Sequence, residues 1–153
     1  MSKARVLLAN SRAVDARECL HFVVGRPQPP DPPLEAWLLL GEAHEELGEG
    51  QQAMLAYGEA VHAAEEAGGE SDAVLVSAAR RRRGMLLELG AGANALQAAL
   101  QEYEAGLVRR ATDADLWYHV GHVLLAGGDA ARALRCFRTC CRLSPSHVRA
   151  RPP

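Results

Sequence analysis

Lysine is almost absent from this chain of 153 residues, since Lys3 is the only lysine among seventeen basic residues. Aromatic residues are also few, with two Trp, three Tyr and two Phe, so Ala, Leu and Gly must form most of the core. Such a composition favours closely packed helices over a β-sandwich. No apolar run approaches the length that spans a bilayer, and residues 1–10 hold only a short one. We therefore expect neither membrane insertion nor a signal peptide.

Basic residues are missing between Arg26 and Arg80, where eleven acidic residues lie, whereas six arginines and no acid follow Asp129. The chain is therefore electrically polar from end to end. Its formal net charge is only −2, so the molecule as a whole does not attract nucleic acid or an anionic membrane.

Cysteines are also few, and three of the four fall within six residues of one predicted helix. This layout is poor for disulfides and is typical of small core residues that stay reduced, which predicts a cytoplasmic protein. The four are Cys19, Cys136, Cys140 and Cys141.

The best-defined segment, Asp113 to Pro145, has the apolar spacing of two antiparallel helices. Gly127 and Gly128 break the chain between them, Asp129 is predicted to cap the second helix, and Pro145 closes the unit. The first core stripe contains Trp117, Val120, Gly121 and Leu124, and the second contains Ala133, Leu134, Phe137, Cys140 and Cys141.

The same pattern occurs earlier, after a shift of 80 residues with no gap. It combines a Trp-x2-apolar-Gly step with a small-x3-aromatic step, and in both features the chain resembles the tetratricopeptide repeat family. The matching positions are Trp37, Leu40, Gly41, Gly48, Ala53, Tyr57 and Ala60.

Close approach of helices explains the signature. Gly41 and Gly121 let the first helix of a hairpin touch the second, Ala53 and Ala133 do the same from the second helix, and the aromatic rings fill the space between hairpins. The predicted repeat core is Trp37, Gly41, Ala53, Tyr57, Tyr103, Trp117, Gly121, Ala133, Phe137 and Pro145.

The middle hairpin is degenerate, and its alignment with the others has two solutions. Matching Gly84 to Gly41 and Gly121 places Ala99 and Tyr103 three residues late and puts Arg80 at the Trp position. Matching Leu89-Gly90 to Leu47-Gly48 instead puts Arg83 at the glycine position. The second helix of this hairpin is predicted to be capped by Asn94.

The predicted fold class is all-α. The resemblance implies a right-handed superhelical α-solenoid of about three tetratricopeptide-like hairpins with an extra N-terminal helix. The predicted segments are 1–26, an N-terminal helix or half repeat; 27–33, a proline-rich spacer; 34–147, the array, with hairpins at 34–67, 72–110 and 113–146; and 148–153, a short tail.

In this family the first helix of each hairpin lines a concave groove that binds extended or helical peptides. Transferred by position, the resemblance implies a groove of mixed charge. Its predicted residues are Leu38, Glu42, Glu45, Arg81, Met85, Tyr118, His122 and Leu125.

Two further clusters contain residue types that can bind a metal or catalyse a reaction, but neither has the spacing of a metal-binding or catalytic motif. His119, His122, Cys136 and Cys140 lack the spacing of a zinc finger or ribbon, so we expect no metal and no cofactor. The acidic stripe formed by Glu42, Glu45, Glu46 and Glu49 has no nucleophile or phosphate loop beside it, so we expect no enzyme.

Arginines form the two strongest charge features. The run Arg80 to Arg83 covers almost a full turn, and it is either an anion cradle or a solvated turn paired with Glu88 or the acidic first repeat. A second stripe has no aromatic residues for base stacking, so a solvated face is favoured over nucleic-acid binding. This stripe contains Arg132, Arg135, Arg138 and Arg142.

The resemblance implies a protein-interaction module, an adaptor or assembly subunit whose groove or uncovered C-terminal edge binds a peptide or helix. Two alternatives remain: a salt-sensitive homo-oligomeric scaffold, and a small chaperone for a secreted or assembled client. The expected partner is a protein or peptide, or a second copy of the chain, rather than nucleic acid.

Overall fold

The computed structural model describes residues 13–25, 34–68, 72–90 and 92–146. The predicted spacer 27–33 and tail 148–153 lie outside these ranges. The described residues form seven α-helices and no strand. They are α1 Ala13–Val24, α2 Leu34–Glu46, α3 Gly50–Ala67, α4 Ala73–Glu88, α5 Ala93–Arg109, α6 Ala114–Ala126 and α7 Ala130–Leu143.

Three helical hairpins, α2–α3, α4–α5 and α6–α7, follow the additional helix α1, as the sequence predicts. The chain divides into two compact units between Leu75 and Val76, so most of α4 belongs to the second unit.

The first unit is built around α2, which packs against α3 on one side and α1 on the other. Leu20 of α1 is fully buried in a cluster with Leu39 and Leu40 of α2 and Ala56 of α3. Ala16 of α1, also fully buried, packs against α2. Helix α1 therefore contributes an apolar stripe of the kind that the second helix of a hairpin supplies.

The second unit has one continuous core in which α6 lies between α5 and α7. Tyr103 of α5 and Leu116 of α6 are fully buried at its centre. On α7, Ala133 and Cys136 complete the buried cluster. Because apolar side chains from three helices meet in this cluster, α6 is the best-anchored helix of the unit.

Glycine on the first helix of each hairpin contacts an aromatic ring on the second. A Cβ at Gly121 would lie 2.6 Å from Cε1 of Phe137, and the corresponding contacts of Gly41 with Tyr57 and of Gly84 with Tyr103 are closer still. Only glycine fits these places, because real Cβ atoms essentially never come within 3.0 Å of such a neighbour. The Gly84 contact selects the first of the two alignments for the middle hairpin, with Arg80 at the Trp position.

Hairpin turns use glycine for a different reason. Gly48 and Gly128 have positive φ, at 74° and 91°, and a Cβ at either would meet no atom within 4 Å, so backbone conformation rather than space requires glycine there. The predicted cap at Asp129 is confirmed, since its carboxylate accepts from the Arg132 amide at 3.1 Å. The predicted cap at Asn94 is wrong: α5 begins at Ala93, and the cap position is occupied by Gly92 without a side-chain bond.

Burial separates the predicted core residues into two groups. Ala53, Tyr57, Tyr103 and Ala133 are buried, together with the two repeat glycines, whereas the rings of Trp37, Trp117 and Phe137 are only half-buried and Pro145 is exposed. Leu134, predicted on the core stripe of α7, is instead 40% exposed.

Candidate functional site

Tyrosine hydroxyls fix a glutamate on the first helix in two of the three hairpins. Tyr57 donates to Oε1 of Glu45 at 2.5 Å, and Tyr103 donates to Oε2 of Glu88. Each glutamate follows the contact glycine by four residues, so the two pairs occupy equivalent places. In the third hairpin the same two positions hold Leu125 and Phe137, and Leu125 is 53% exposed. The polar pair is thus replaced by an apolar pair in the last hairpin.

Helices α4 and α6 are cross-linked along one face. Arg81 donates from Nη1 to Oδ2 of Asp115 at 3.2 Å, and Nδ1 of His122 lies 3.0 Å from Oε1 of Glu88. Each pair joins residues 34 positions apart, so the two helices run side by side in a constant alignment. We call this face the α4–α6 surface; its residues are Arg81, Met85, Glu88, Asp115, Tyr118, His122 and Leu125.

The α4–α6 surface combines hydrogen-bonded polar pairs with exposed apolar side chains. Met85 lies between the Arg81 and Glu88 turns of α4 and is 38% exposed. On α6, the ring of Tyr118 stacks on His122 at 6.4 Å and tilts against Phe137 at 6.0 Å. Because neighbouring residues already hold these side chains in place, little conformational freedom is left for them to lose when a partner binds.

His119 lies beneath this surface, stacked on Tyr103 with ring centroids 5.3 Å apart. Burial lowers its pKa, Arg81 and His122 lower it further, and Glu88 and Asp115 act in the opposite direction. Burial and the Glu88 carboxylate raise the pKa of Tyr103 above its ordinary value, so its hydroxyl keeps the proton that it donates.

The lowered pKa of His119 predicts loss of stability on acidification. Its folded pKa lies below the ordinary value of about 6.5, so the unfolded chain binds the proton more readily and stability falls as the pH drops through that value. His21 of the first unit contributes in the same sense, because burial and then His44 and Arg17 lower its pKa against the opposing effect of Glu49.

Urea unfolding at about pH 7.5 and pH 5.5 checks this prediction. The parent chain is expected to be less stable at the lower pH, and His119→Phe, which keeps a ring but cannot titrate, is expected to lose less on acidification. An equal loss in both proteins would show that His119 has an unperturbed pKa.

The predicted groove residues of α2 belong to the first unit. Leu38 is buried, and Glu42 and Glu45 are half-buried, with Glu45 bonded to Tyr57. Farther along the same acidic stripe, Glu49 accepts from Arg17 at 2.6 Å and lies 2.5 Å from Nδ1 of the buried His44. The His44 hydrogen bond is the main cause that lowers the pKa of Glu49. Much of the acidic stripe is therefore used to join α1, α2 and the turn before α3.

The arginine run divides between two neighbours. Arg80 and Arg83 both direct Nη1 to the carboxylate of Glu102 on α5, at 3.0 and 3.2 Å, whereas Arg81 points to α6. The role of Glu102 was not predicted from the sequence, where its place one residue before the contact residue Tyr103 is its one distinguishing feature. Arg81 thus contributes to the α4–α6 surface, while Arg80 and Arg83 stabilise the hairpin.

Cysteines of α7 are packing residues. Cys140 is fully buried and Cys136 nearly so, and burial raises the pKa of Cys136 and raises that of Cys140 to about 11. His119 and His122, the two histidines of the cluster considered above for metal binding, lie among Tyr103, Tyr118 and Glu88. Within the described ranges, no three His, Cys, Asp or Glu side chains are arranged to hold a metal ion.

None of the helices that the structure describes has both the length and the apolar character needed to cross a bilayer.

Comparison with protein families identifies the last hairpin. Residues 114–147, which include α6 and α7, match the family model for the tetratricopeptide repeat. The comparison with curated protein sequences gave no match.

Solved structures resemble the chain over nearly its whole length. MamA has a TM-score of 0.75 at 18% identity, covering 98% of this chain and 79% of MamA. A tetratricopeptide repeat protein from Parabacteroides merdae ATCC 43184 has a TM-score of 0.78 at 18% identity, covering 97% of this chain and 54% of its own. YrrB, a TPR protein with an unusual peptide-binding site, has a TM-score of 0.73 at 18% identity, covering 96% of this chain and 68% of YrrB.

At these identities the likeness concerns the fold alone. Together with the matched hairpin, it confirms the predicted resemblance to the tetratricopeptide repeat family and the predicted all-α solenoid class.

Proposed function

We propose, from the premise that the chain is built of tetratricopeptide-repeat hairpins, that it is a protein-interaction module, an adaptor or assembly subunit without catalytic activity. Proteins with this fold act typically through binding surfaces, and YrrB carries a peptide-binding site on it. The expected partner is a protein or peptide, and the expected compartment is the cytoplasm.

The α4–α6 surface is the proposed binding site, and one observation carries the proposal. Exposed Met85 and Leu125 lie on the same face as the Arg81–Asp115 ion pair and the Glu88–His122 hydrogen bond. Apolar side chains surrounded by ordered polar groups are the usual composition of a peptide site, since the former supply affinity and the latter fix orientation.

An extended peptide fits this surface best. Its apolar side chains would cover Met85 and Leu125, and its polar groups would bond to the Arg81 and Glu88 pairs. Since both charge signs are present within one face, the surface favours a ligand of mixed polarity over a uniformly acidic one.

Affinity capture with the full chain as bait, followed by mass spectrometry, tests the proposal. Leu125→Asp places a charge on the α4–α6 surface at an exposed position, so we expect it to abolish recovery of a partner that the parent captures near one-to-one. The matched control is Leu55→Asp, which alters another exposed leucine, at 71%, on α3 and outside the surface. If Leu125→Asp and Leu55→Asp recover the partner equally well, the partner binds elsewhere.

Head-to-tail self-association and a chaperone role are the alternatives. The exposed arginines of α7 favour self-association, but the acidic stripe that would receive them is partly engaged, because Glu45 and Glu49 bond within the first unit. Recovery of the chain alone, lost as salt rises, would support the scaffold; recovery of many unrelated clients would support the chaperone.

A further inference from the structure

The outward side of α7 carries an apolar stripe whose counterpart on α5 is covered by a helix. Tyr103 and Phe137 are equivalent ring positions, so a shift of 34 residues aligns α5 with α7. This alignment matches Leu100 to Leu134 and Leu107 to Cys141. Both α5 leucines pack in the core cluster that α5 forms with α6.

Exposure shows the difference between the two helices. Leu100 is 9% exposed, because it packs in one cluster with Val123 and Leu124 of α6, whereas Leu134 is 40% exposed. Cys141 is half-buried. The α5–α6 contact therefore shows what kind of element such a stripe accommodates, namely an amphipathic helix lying alongside it.

Arginines border this stripe on α7 alone. Arg138 and Arg142 follow Leu134 by four and eight residues, which places them beside it on the helix surface. The equivalent residues of α5 are Glu104 and Val108, so the repeat itself does not require arginine there.

The charges of Arg138 and Arg142 are not used in ion pairs within the described part of the chain. Arg132, on the far side of α7, lies 3.8 Å from Asp129, whereas Arg138 and Arg142 form no ion pair with any residue in the described ranges. Both are exposed. A ligand that covers Leu134 meets two positive charges along one edge.

We propose that this face of α7, formed by Leu134, Arg138, Cys141 and Arg142, binds an amphipathic helix of a partner protein that carries acidic residues along one edge of its apolar stripe. The inference rests on the proposed interaction function and names the partner's chemistry. Residues 147–153, HVRARPP, do not have this chemistry, because this segment contains two arginines, two prolines and no acid.

A synthetic helix provides the probe. It is a fluorescein-labelled peptide of about 18 residues, long enough for five turns, with Leu at the positions equivalent to Leu116, Val120, Val123 and Leu124 and Glu along one edge. The control peptide has Lys in place of every Glu. By fluorescence anisotropy with the full chain at low salt, we expect the Glu peptide to bind at least about tenfold more tightly than the Lys peptide.

Variants of the chain locate the site. Arg138→Glu and Leu134→Asp change exposed residues and are expected to weaken Glu-peptide binding at least about tenfold, with far-UV spectra that match the parent. Arg132→Glu reverses the same charge away from the stripe and is expected to change binding less than about twofold. Equal binding of the two peptides, or an equal effect of Arg132→Glu and Arg138→Glu, would overturn the proposal.

Other occupants of the face give different results. Binding to phosphatidylcholine–phosphatidylserine vesicles without binding of the Glu peptide would assign the face to a membrane. Sedimentation as a dimer that Leu134→Asp dissociates, again without peptide binding, would assign it to a second copy. Either result overturns the proposal.

The two proposals fail separately. Leu125→Asp is expected to leave Glu-peptide binding unchanged, because it lies on the α4–α6 surface. If Leu125→Asp abolishes partner capture and the Glu peptide does not bind, only the α7 inference is wrong. If the peptide binds and Leu125→Asp leaves partner capture unchanged, only the α4–α6 site is wrong.

Discussion

Gly121→Leu is expected to lower the free energy of unfolding by roughly 3 kcal/mol. A Cβ at this position would lie 2.6 Å from Cε1 and 2.8 Å from Cδ1 of Phe137, before the rest of the leucine is considered. The ring is confined by Tyr118 on one side and by the packing of α7 against α6 in the shared core cluster. The hairpin must therefore open, and opening exposes the shared core of α5, α6 and α7. Equilibrium unfolding in urea, followed by far-UV circular dichroism, measures the loss.

Gly58→Leu is the matched control for this prediction. Gly58 also lies inside a helix, α3, but a Cβ added there meets no atom within 4 Å. Because leucine has a higher helix propensity than glycine, this variant is expected to be as stable as the parent or about 0.5 kcal/mol more stable. Equal destabilisation by the two substitutions would assign the effect to helix glycines in general rather than to the contact with Phe137.

The sequence predicted these close contacts because their signal is local. A glycine and an aromatic residue separated by 16 positions, as Gly41 and Tyr57 are, recur as Gly121 and Phe137. The middle hairpin separates Gly84 and Tyr103 by 19, so its alignment could not be chosen from spacing alone. The structure resolved it, because the physical requirement is contact between the glycine and the ring, and the longer hairpin satisfies this requirement.

The α4–α6 surface was only partly predictable. Arg81, Met85, Tyr118 and His122 were predicted groove residues, and the structure places them on one face of the second unit, where Arg81 and His122 bond across to the neighbouring helix. The separate roles within the arginine run could not be predicted, since four identical neighbours carry no information about which one faces Glu102. Which neighbour each side chain contacts depends on the rotation of the helix about its axis, and four consecutive residues of a helix point in four different directions.

The exposure of Leu134 could not be predicted from the sequence either. Its spacing from Ala133 and Phe137 is that of a buried residue, and the equivalent Leu100 is buried. Burial, however, depends on the element that lies against the stripe as well as on the stripe itself. Trp117 is similar, because its ring is only partly buried while Nε1 donates to the Ala111 carbonyl at 2.7 Å. Residues at the periphery of a repeat are therefore less predictable than those between its two helices.

Tyr103→Ala is expected to destabilise the chain by about 3–5 kcal/mol. Tyr103 is fully buried, so its removal leaves a cavity against Gly84 and beneath His119, and the helices that line the cavity are held apart by their other contacts. Tyr103→Phe removes only the hydroxyl that donates a hydrogen bond to Glu88. Because Glu88 still has His122 as a neighbour, this substitution is expected to cost about 1 kcal/mol of stability.

Comparison with Trp117→Ala decides whether burial or ring size governs the effect. Trp is the larger side chain, but Trp117 is half-buried, so its removal leaves a surface depression that water can fill and a smaller loss of stability is expected than for Tyr103→Ala. Urea unfolding of the three variants and the parent provides the ranking. If Trp117→Ala proves the more damaging, the centre of the second unit lies at the Trp position, between hairpins, instead of at the contact between glycine and ring. The predicted order follows from burial: enclosed rings hold the two helices of a hairpin together, whereas partly exposed rings contribute in proportion to the surface they cover.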